Sequence, residues 1–326
     1  MKPSQLTESL ETCILAKRPA FIWSQPGMGK SRIMKQTAER LGRRLFDLRL
    51  TGRDVVDFIG LPTVENGFTK FARPALLPKA GDGPSILFLD EFNRADQPMM
   101  NAALQIVLDH RIGEHELPED CVVMAAGNPE TDPGVTRMSG ATRLRFVHLD
   151  LDMDRDDWMN WAIDAAIEPV VIAFHRFRDD MLHSYDPKAR TSPNPRGWEF
   201  VSDICKQNPD PRVELAMFEG IVGTATAVEF AGFKKLYREL PQIDAILLDP
   251  KKTPVPAQPN VRYAVAAALA RRASASNFGR IVTYLERMPV EFNVLAVKMA
   301  IGRANGELSS TPEFTKWAIA HQDVTF

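Results

Sequence analysis

Residues 24–31, SQPGMGKS, constrain this chain more than any other stretch. They follow a short apolar run at 20–23 that reads as a buried strand, and they open a helical pattern over 31–41. Glycine is needed where a backbone must curl, and here Gly27 and Gly29 let successive N–H groups point at one anion. The following helix adds its own N-terminus, which favours negative charge. Lys30 is placed to reach phosphate oxygens and the Ser31 hydroxyl to ligate Mg²⁺. The spacing therefore predicts a phosphate-binding loop formed by Gln25, Pro26, Gly27, Met28, Gly29, Lys30, Ser31 and Arg32. Ser24 stands where this motif usually has its first glycine. A serine can end a strand in extended conformation, so nucleotide binding is expected to survive. No guanine-reading [NT]KxD motif follows, which favours ATP.

A second signal comes sixty residues on, in ILFLDEFNRA at 86–95. Four apolar residues deliver Asp90 and Glu91 to the carboxyl end of a strand, where open α/β sheets bind ligands. Asp90 is expected to orient Mg²⁺ or its waters, and Glu91 to polarise an attacking water. Around these motifs, short strands at 45–50, 121–126 and 146–149 alternate with helices, one of them at 98–110. That rhythm predicts a parallel sheet wrapped by helices. Two stretches break it and read as hairpins: 64–71, centred on Asn66-Gly67, and 111–123, with Gly113 and Pro118. Beyond Asp150 the pattern turns helical, over 155–167, 169–178, 198–206, 213–237, 261–272, 277–288 and 291–303. A Pro-rich stretch at 249–259 reads as an exposed linker.

The set SQPGMGKS, LDEFNRA, AAGNPE (125–130) and ATRLRF (141–146) resembles the AAA+ ATPases, specifically the MoxR branch. That resemblance implies an ASCE-type P-loop sheet sandwiched by helices, an all-α lid, and assembly into a ring, commonly a hexamer. It implies that Asn128, at the end of the 121–126 strand, senses the γ-phosphate. It implies an arginine offered in trans to the neighbouring subunit's ATP. Arg145 occupies that place in Leu144-Arg145-Phe146, where the family has Asp-Arg-Phe, and Arg143 two residues earlier is the alternative. Thr191–Phe200 resembles the motif in which an arginine opening a lid helix contacts ATP from the same subunit, here Arg196 after Pro195. The hairpins match the helix-2-insert and pre-sensor-hairpin group. In the approach to the first hairpin, Phe58 and Ile59 either line a ring pore or pack in the core.

The expected domains are a nucleotide-binding αβα domain at 1–150, a helical lid at 151–248, and linker plus C-terminal helices at 249–326. The expected function is Mg²⁺-dependent ATP hydrolysis in a ring that remodels or activates a protein partner. The resemblance implies a partner with a von Willebrand factor A domain. Two other classes stand beside it: a nucleic-acid motor or loader, and a nucleotide-sensing scaffold without useful turnover. Lys plus Arg is 40 against 42 Asp plus Glu, a formal net charge of −2, which argues against a nucleic-acid-coating surface. The longest apolar run, at 263–270, is far short of the ~20 residues of a membrane span. The first residues, MKPSQLTESLETC, lack the apolar core of a secretory leader. Three widely spaced cysteines and six histidines without ligand spacing suit neither disulfides nor zinc. A cytoplasmic protein is expected.

Overall fold

The computed structural model describes residues 1–238, 243–304 and 306–322. The chain divides into two compact units, Met1–Asp154 and Arg155–Phe326. In the first, α1 (Pro3–Leu15) leads to β1 (Ala20–Trp23), α2 (Lys30–Arg40), β2 (Arg44–Arg49) and a single turn α3 (Val56–Ile59). A hairpin of β3 (Pro62–Glu65) and β4 (Phe68–Phe71) precedes β5 (Ser85–Asp90) and α4 (Gln97–Asp109). A small hairpin of β6 (Arg111–Ile112) and β7 (His115–Glu116) then enters β8 (Cys121–Gly127), followed by α5 (Gly140–Arg143) and β9 (Val147–Asp150).

Five of the strands form one sheet in the order β2-β5-β8-β1-β9, with every pairing parallel. Parallel pairing puts all carboxyl ends on one edge. The interior strand β5 is buried along its whole length, and its alternating side chains serve two cores. Ile86 and Phe88 pack with Leu6, Leu10 and Ile14 of α1 and Met34 of α2. Leu87 and Leu89 pack on the opposite face with Met99, Ala103 and Ile106 of α4. The result is an α/β sheet sandwiched by helices, followed by an all-helical region.

Both expected hairpins form. Asn66 and Gly67 each take positive φ, at 53° and 80°, as a two-residue turn of primed type requires. Val64 and Phe68 are exposed on it. The choice left open for Phe58 resolves to the core: it is fully buried with Leu87 and Met100, and Ile59 packs against the same cluster. Phe58 is therefore not a pore residue. Helix α1 was not read from the sequence.

The second unit contains α6 (Arg155–Asp164), α7 (Pro169–Phe177), α8 (Pro195–Gln207), α9 (Pro211–Val222) and α10 (Thr224–Arg238). It continues with α11 (Ile243–Leu248), α12 (Pro259–Arg272), α13 (Phe278–Leu285), α14 (Val290–Arg303) and α15 (Pro312–Ala320). The single helix expected over 213–237 is two, because Gly223 ends α9 at a φ of 82°. The stretch 249–259 is not a free linker. Arg287 donates to the carbonyls of Pro250 and Thr253, Tyr284 to Pro254, and Arg262 to Pro256, strapping it to the helices that follow. Among the described residues no helix is long and apolar enough to cross a membrane.

His175 on α7 is fully buried against the rings of Trp158, Phe174 and Trp198. Burial pulls its pKa down to about 3, with Asp180 opposing too weakly to prevent it. The unfolded chain then binds a proton that the folded one refuses between pH 6.5 and about 3, so stability falls as pH drops through that window. The loss should approach about 4 kcal/mol at the acid end. Urea midpoints measured from pH 7 to 4 should decline less steeply in His175→Phe than in the wild type.

Candidate functional site

The site is built at the carboxyl edge of the sheet. Strand β1 runs into a loop in which Gly27 and Gly29 both take positive φ, at 79° and 88°. Gly29 is the N-cap of α2 and offers no side-chain cap. The first-turn amides of a helix have no intrahelical acceptors, so they are left facing the loop. Lys30 is buried, and a buried ammonium needs acceptors. Its Nζ donates to the Ser24 carbonyl at 2.9 Å, to Ser24 Oγ at 3.1 Å and to Asn128 Oδ1 at 3.0 Å. Ser24 thus contributes an acceptor hydroxyl where the loop pattern normally has glycine.

Strand β5 delivers the carboxylates. Ser31 Oγ donates to Asp90 Oδ2 at 2.7 Å, and the Glu91 N–H donates to the other Asp90 oxygen at 2.8 Å. Glu91 sits at φ 54°, left-handed backbone that costs a non-glycine residue about 1 kcal/mol. This twist turns its side chain off the strand axis. The end of the neighbouring strand β2 and the turn after it catch it: Thr51 Oγ1 donates to Glu91 Oε2 at 2.6 Å, and Arg49 lies 3.6 Å from Oε1. The β2–β5 register, with Arg49 opposite Asp90, sets that approach. Asp132 lies near the same cluster. Burial raises its pKa, while the charges of Lys30 and Arg94 oppose the rise.

Lys30, Ser31, Asp90, Glu91 and Asn128 are therefore brought together, with Gln25, Pro26, Gly27, Met28 and Gly29 forming the loop above them and Arg32 exposed on the first turn of α2. Arg145 is not in contact with this cluster. It is exposed beside Leu144, which is 87% exposed, while Phe146 just after it is anchored against Phe21 and Phe92. Arg143 differs from Arg145 in being held: Glu130 takes Arg143 at 3.3 Å through one oxygen and Arg137 at 3.3 Å through the other. Arg196 lies in the second unit, exposed at the start of α8, whose N-cap Asn194 accepts from Gly197 N–H. Sequence reasoning missed Arg49, Thr51 and Asn93. Asn93 is visible in LDEFNRA, but its contact with Asn128 depends on the strand order.

The residues fit a nucleotide with Mg²⁺. First-turn amides without a side-chain cap and a lysine on exchangeable acceptors suit phosphate, and the paired oxygens of Ser31 and Asp90 make a hard-oxygen set. Mg²⁺ takes such a set as one or two protein ligands plus phosphates and water.

Residues 21–146 match the AAA domain of the dynein-related subfamily. This part of the chain is similar to an AAA domain. The match spans β1 through Phe146, and so encloses every clustered residue above as well as Arg145. Midasin of Giardia intestinalis is 37% identical over 107 residues, covering 30% of this chain and 2% of Midasin. NtrX from Brucella abortus has a TM-score of 0.44 at 15% identity, covering 98% of this chain and 66% of that one. The Thermotoga maritima RuvB Holliday junction branch migration motor has a TM-score of 0.35 at 16% identity, covering 82% and 80%. The chain thus spans only a small part of Midasin and just under two thirds of NtrX. The AAA+ family implies nucleotide binding, and its members commonly assemble as rings.

Gly127 closes β8 where no larger residue fits. A Cβ there would lie 2.3 Å from Asn93 Oδ1 and 2.7 Å from the Phe21 ring. Gly127→Ala should destabilise the protein by about 1–3 kcal/mol, read as a lower urea midpoint at unchanged slope. A midpoint equal to wild type would contradict the packing described.

Proposed function

We propose that the AAA+ domain hydrolyses ATP with Mg²⁺, in a ring of like subunits that remodels or activates a partner protein. The observation that carries this reading is the convergence of Lys30, Ser31, Asp90, Glu91 and Asn128 on one sheet edge. Lys30 would exchange its Ser24 and Asn128 acceptors for phosphate oxygens. Mg²⁺, held by Ser31 and Asp90, supplies neutralisation of phosphate charge when bound. Glu91, carried away from Asp90 by its left-handed backbone, polarises the attacking water. Asn128 presents its amide to the γ-phosphate.

Arg145 supports a composite site, because it is exposed beside the anchored Phe146 while Arg143 is engaged by Glu130. It would stabilise charge on the γ-phosphate of a neighbouring subunit. Three finer assignments rest on the MoxR resemblance alone: Arg196 as the lid arginine, a hexameric ring, and a partner bearing a von Willebrand factor A domain. Domains at 1–150, 151–248 and 249–326 and a cytoplasmic place of work rest on the sequence pattern.

Glu91→Gln should keep ATP binding and lose turnover by about 100-fold or more, because an amide cannot act as a base. Lys30→Ala should lose binding too, in a fluorescent-nucleotide titration. Wild-type phosphate release by both variants would overturn the site.

Arg145→Ala alone should bind ATP without turning it over. Mixed with Glu91→Gln subunits it should regain partial phosphate release, since some interfaces then join an intact glutamate to an intact arginine. Mixed rings verified by native mass measurement but devoid of activity would contradict action in trans.

A further inference from the structure

Asn93 is a buried polar side chain that no role assigned above accounts for. It lies in the 3₁₀ turn Phe92–Arg94, directly after the two acidic residues, and its side chain is fully buried. Its amide grips both backbone polar groups of Asn128. Nδ2 donates to the Asn128 carbonyl at 2.7 Å, and Oδ1 accepts the Asn128 N–H at 3.1 Å. One partner accepts and the other donates, so only one orientation of the amide satisfies both. Its own carbonyl accepts the Thr136 N–H at 2.7 Å, which fixes the turn from the other side.

The sheet does not do this job. The register of β8 ends at Ala125 against β5 and at Gly127 against β1, so Asn128 lies one residue beyond the ladder. A residue just past a strand has no neighbouring backbone to fix it, and buried N–H and C=O groups left without partners are costly. Asn93 takes the place of the missing strand. Gly127 leaves the room, since any Cβ there would collide with Asn93 Oδ1. The side chain aimed by this clamp is the one that reaches Lys30 at 3.0 Å.

We propose that Asn93 is a positioning residue for ATP hydrolysis, locking the backbone of Asn128 so that its amide side chain faces Lys30 and the phosphate, and tying that placement to the acidic turn of Asp90 and Glu91. This inference rests on the proposed ATPase function. Asn93 touches no reacting atom and acts only through Asn128. A residue that merely covered buried polar groups would affect stability, and its effect on rate would be independent of the Asn128 side chain.

A double-mutant cycle on the full chain separates the two. Asn93→Ala should lower kcat by about 10-fold or more with the KM for ATP changed less than about 3-fold. In an Asn128→Ala background the same change should alter kcat by less than about 3-fold, because residues acting through one another are not additive. Equal factors in both backgrounds, or an Asn93→Ala enzyme at wild-type rate, would overturn the proposal. Asn93→Asp is the second variant should the alanine fold poorly: it keeps size and one acceptor but sets an oxygen against the Asn128 carbonyl, and the same loss and non-additivity are expected. Amide exchange supplies a readout that does not need turnover. Asn93→Ala should speed exchange at Asn128 while Val123 to Ala125 stay protected. Unchanged Asn128 exchange sinks the positioning role even if ATP is hydrolysed, whereas faster Asn128 exchange in Asn93→Ala together with no ATPase activity in the wild type sinks the enzymatic reading instead.

Discussion

A buried ammonium with replaceable partners organises this site. Lys30 is held by Ser24 and Asn128, the residues that follow β1 and β8. Those two strands are neighbours only because β8 lies between β5 and β1. A cation in a low-dielectric pocket must be satisfied, and Ser24 and Asn128 meet it with neutral oxygens. Neutral acceptors of this kind can give way to an anion, next to helix amides that no side chain caps. Had the acceptor been a carboxylate, a phosphate would have to break an ion pair to enter.

The acidic side follows the same logic of holding without consuming. Asp90 is tied at both oxygens, by the Ser31 hydroxyl and the Glu91 N–H, which fixes it facing the helix that carries Lys30. Glu91 is turned aside by left-handed backbone and held by Thr51 and Arg49. The strain of that turn, about 1 kcal/mol, is comparable with the net worth of one hydrogen bond to a charged group, about 1.5–3 kcal/mol. A glutamate held through an exposed side-chain hydrogen bond can leave Thr51 when a water and a phosphate present a better arrangement. Sheet order, not sequence proximity, brings all these groups together.

Much of this was legible before the structure. The loop, the acidic strand end and the Asn66-Gly67 turn are encoded in consecutive residues, so composition and spacing suffice. Residues whose role depends on which strand lies beside which were not legible. Thr51 and Arg49 matter because β2 pairs with β5, and Asn93 because β8 ends beside its turn. Helix α1 was not legible because its buried stripe, Leu6, Leu10, Cys13 and Ile14, is thin and set among polar residues. Gly223 was read through as helix, since one glycine in a helical pattern is often tolerated; only its φ of 82° shows the break. Proline content at 249–259 suggested a linker, but prolines keep their carbonyls, and arginines and a tyrosine from later helices use them.

The central claim is an ATPase site made in one subunit and completed by the next. Its most direct test is phosphate release from Mg²⁺-ATP by the wild-type chain, measured as a rate per subunit over a wide range of protein concentration. The account predicts a rate that rises with concentration as subunits assemble and then levels off. A rate per subunit that stays constant from dilute monomer upwards would contradict the shared site, and no release at any concentration would contradict the ATPase itself.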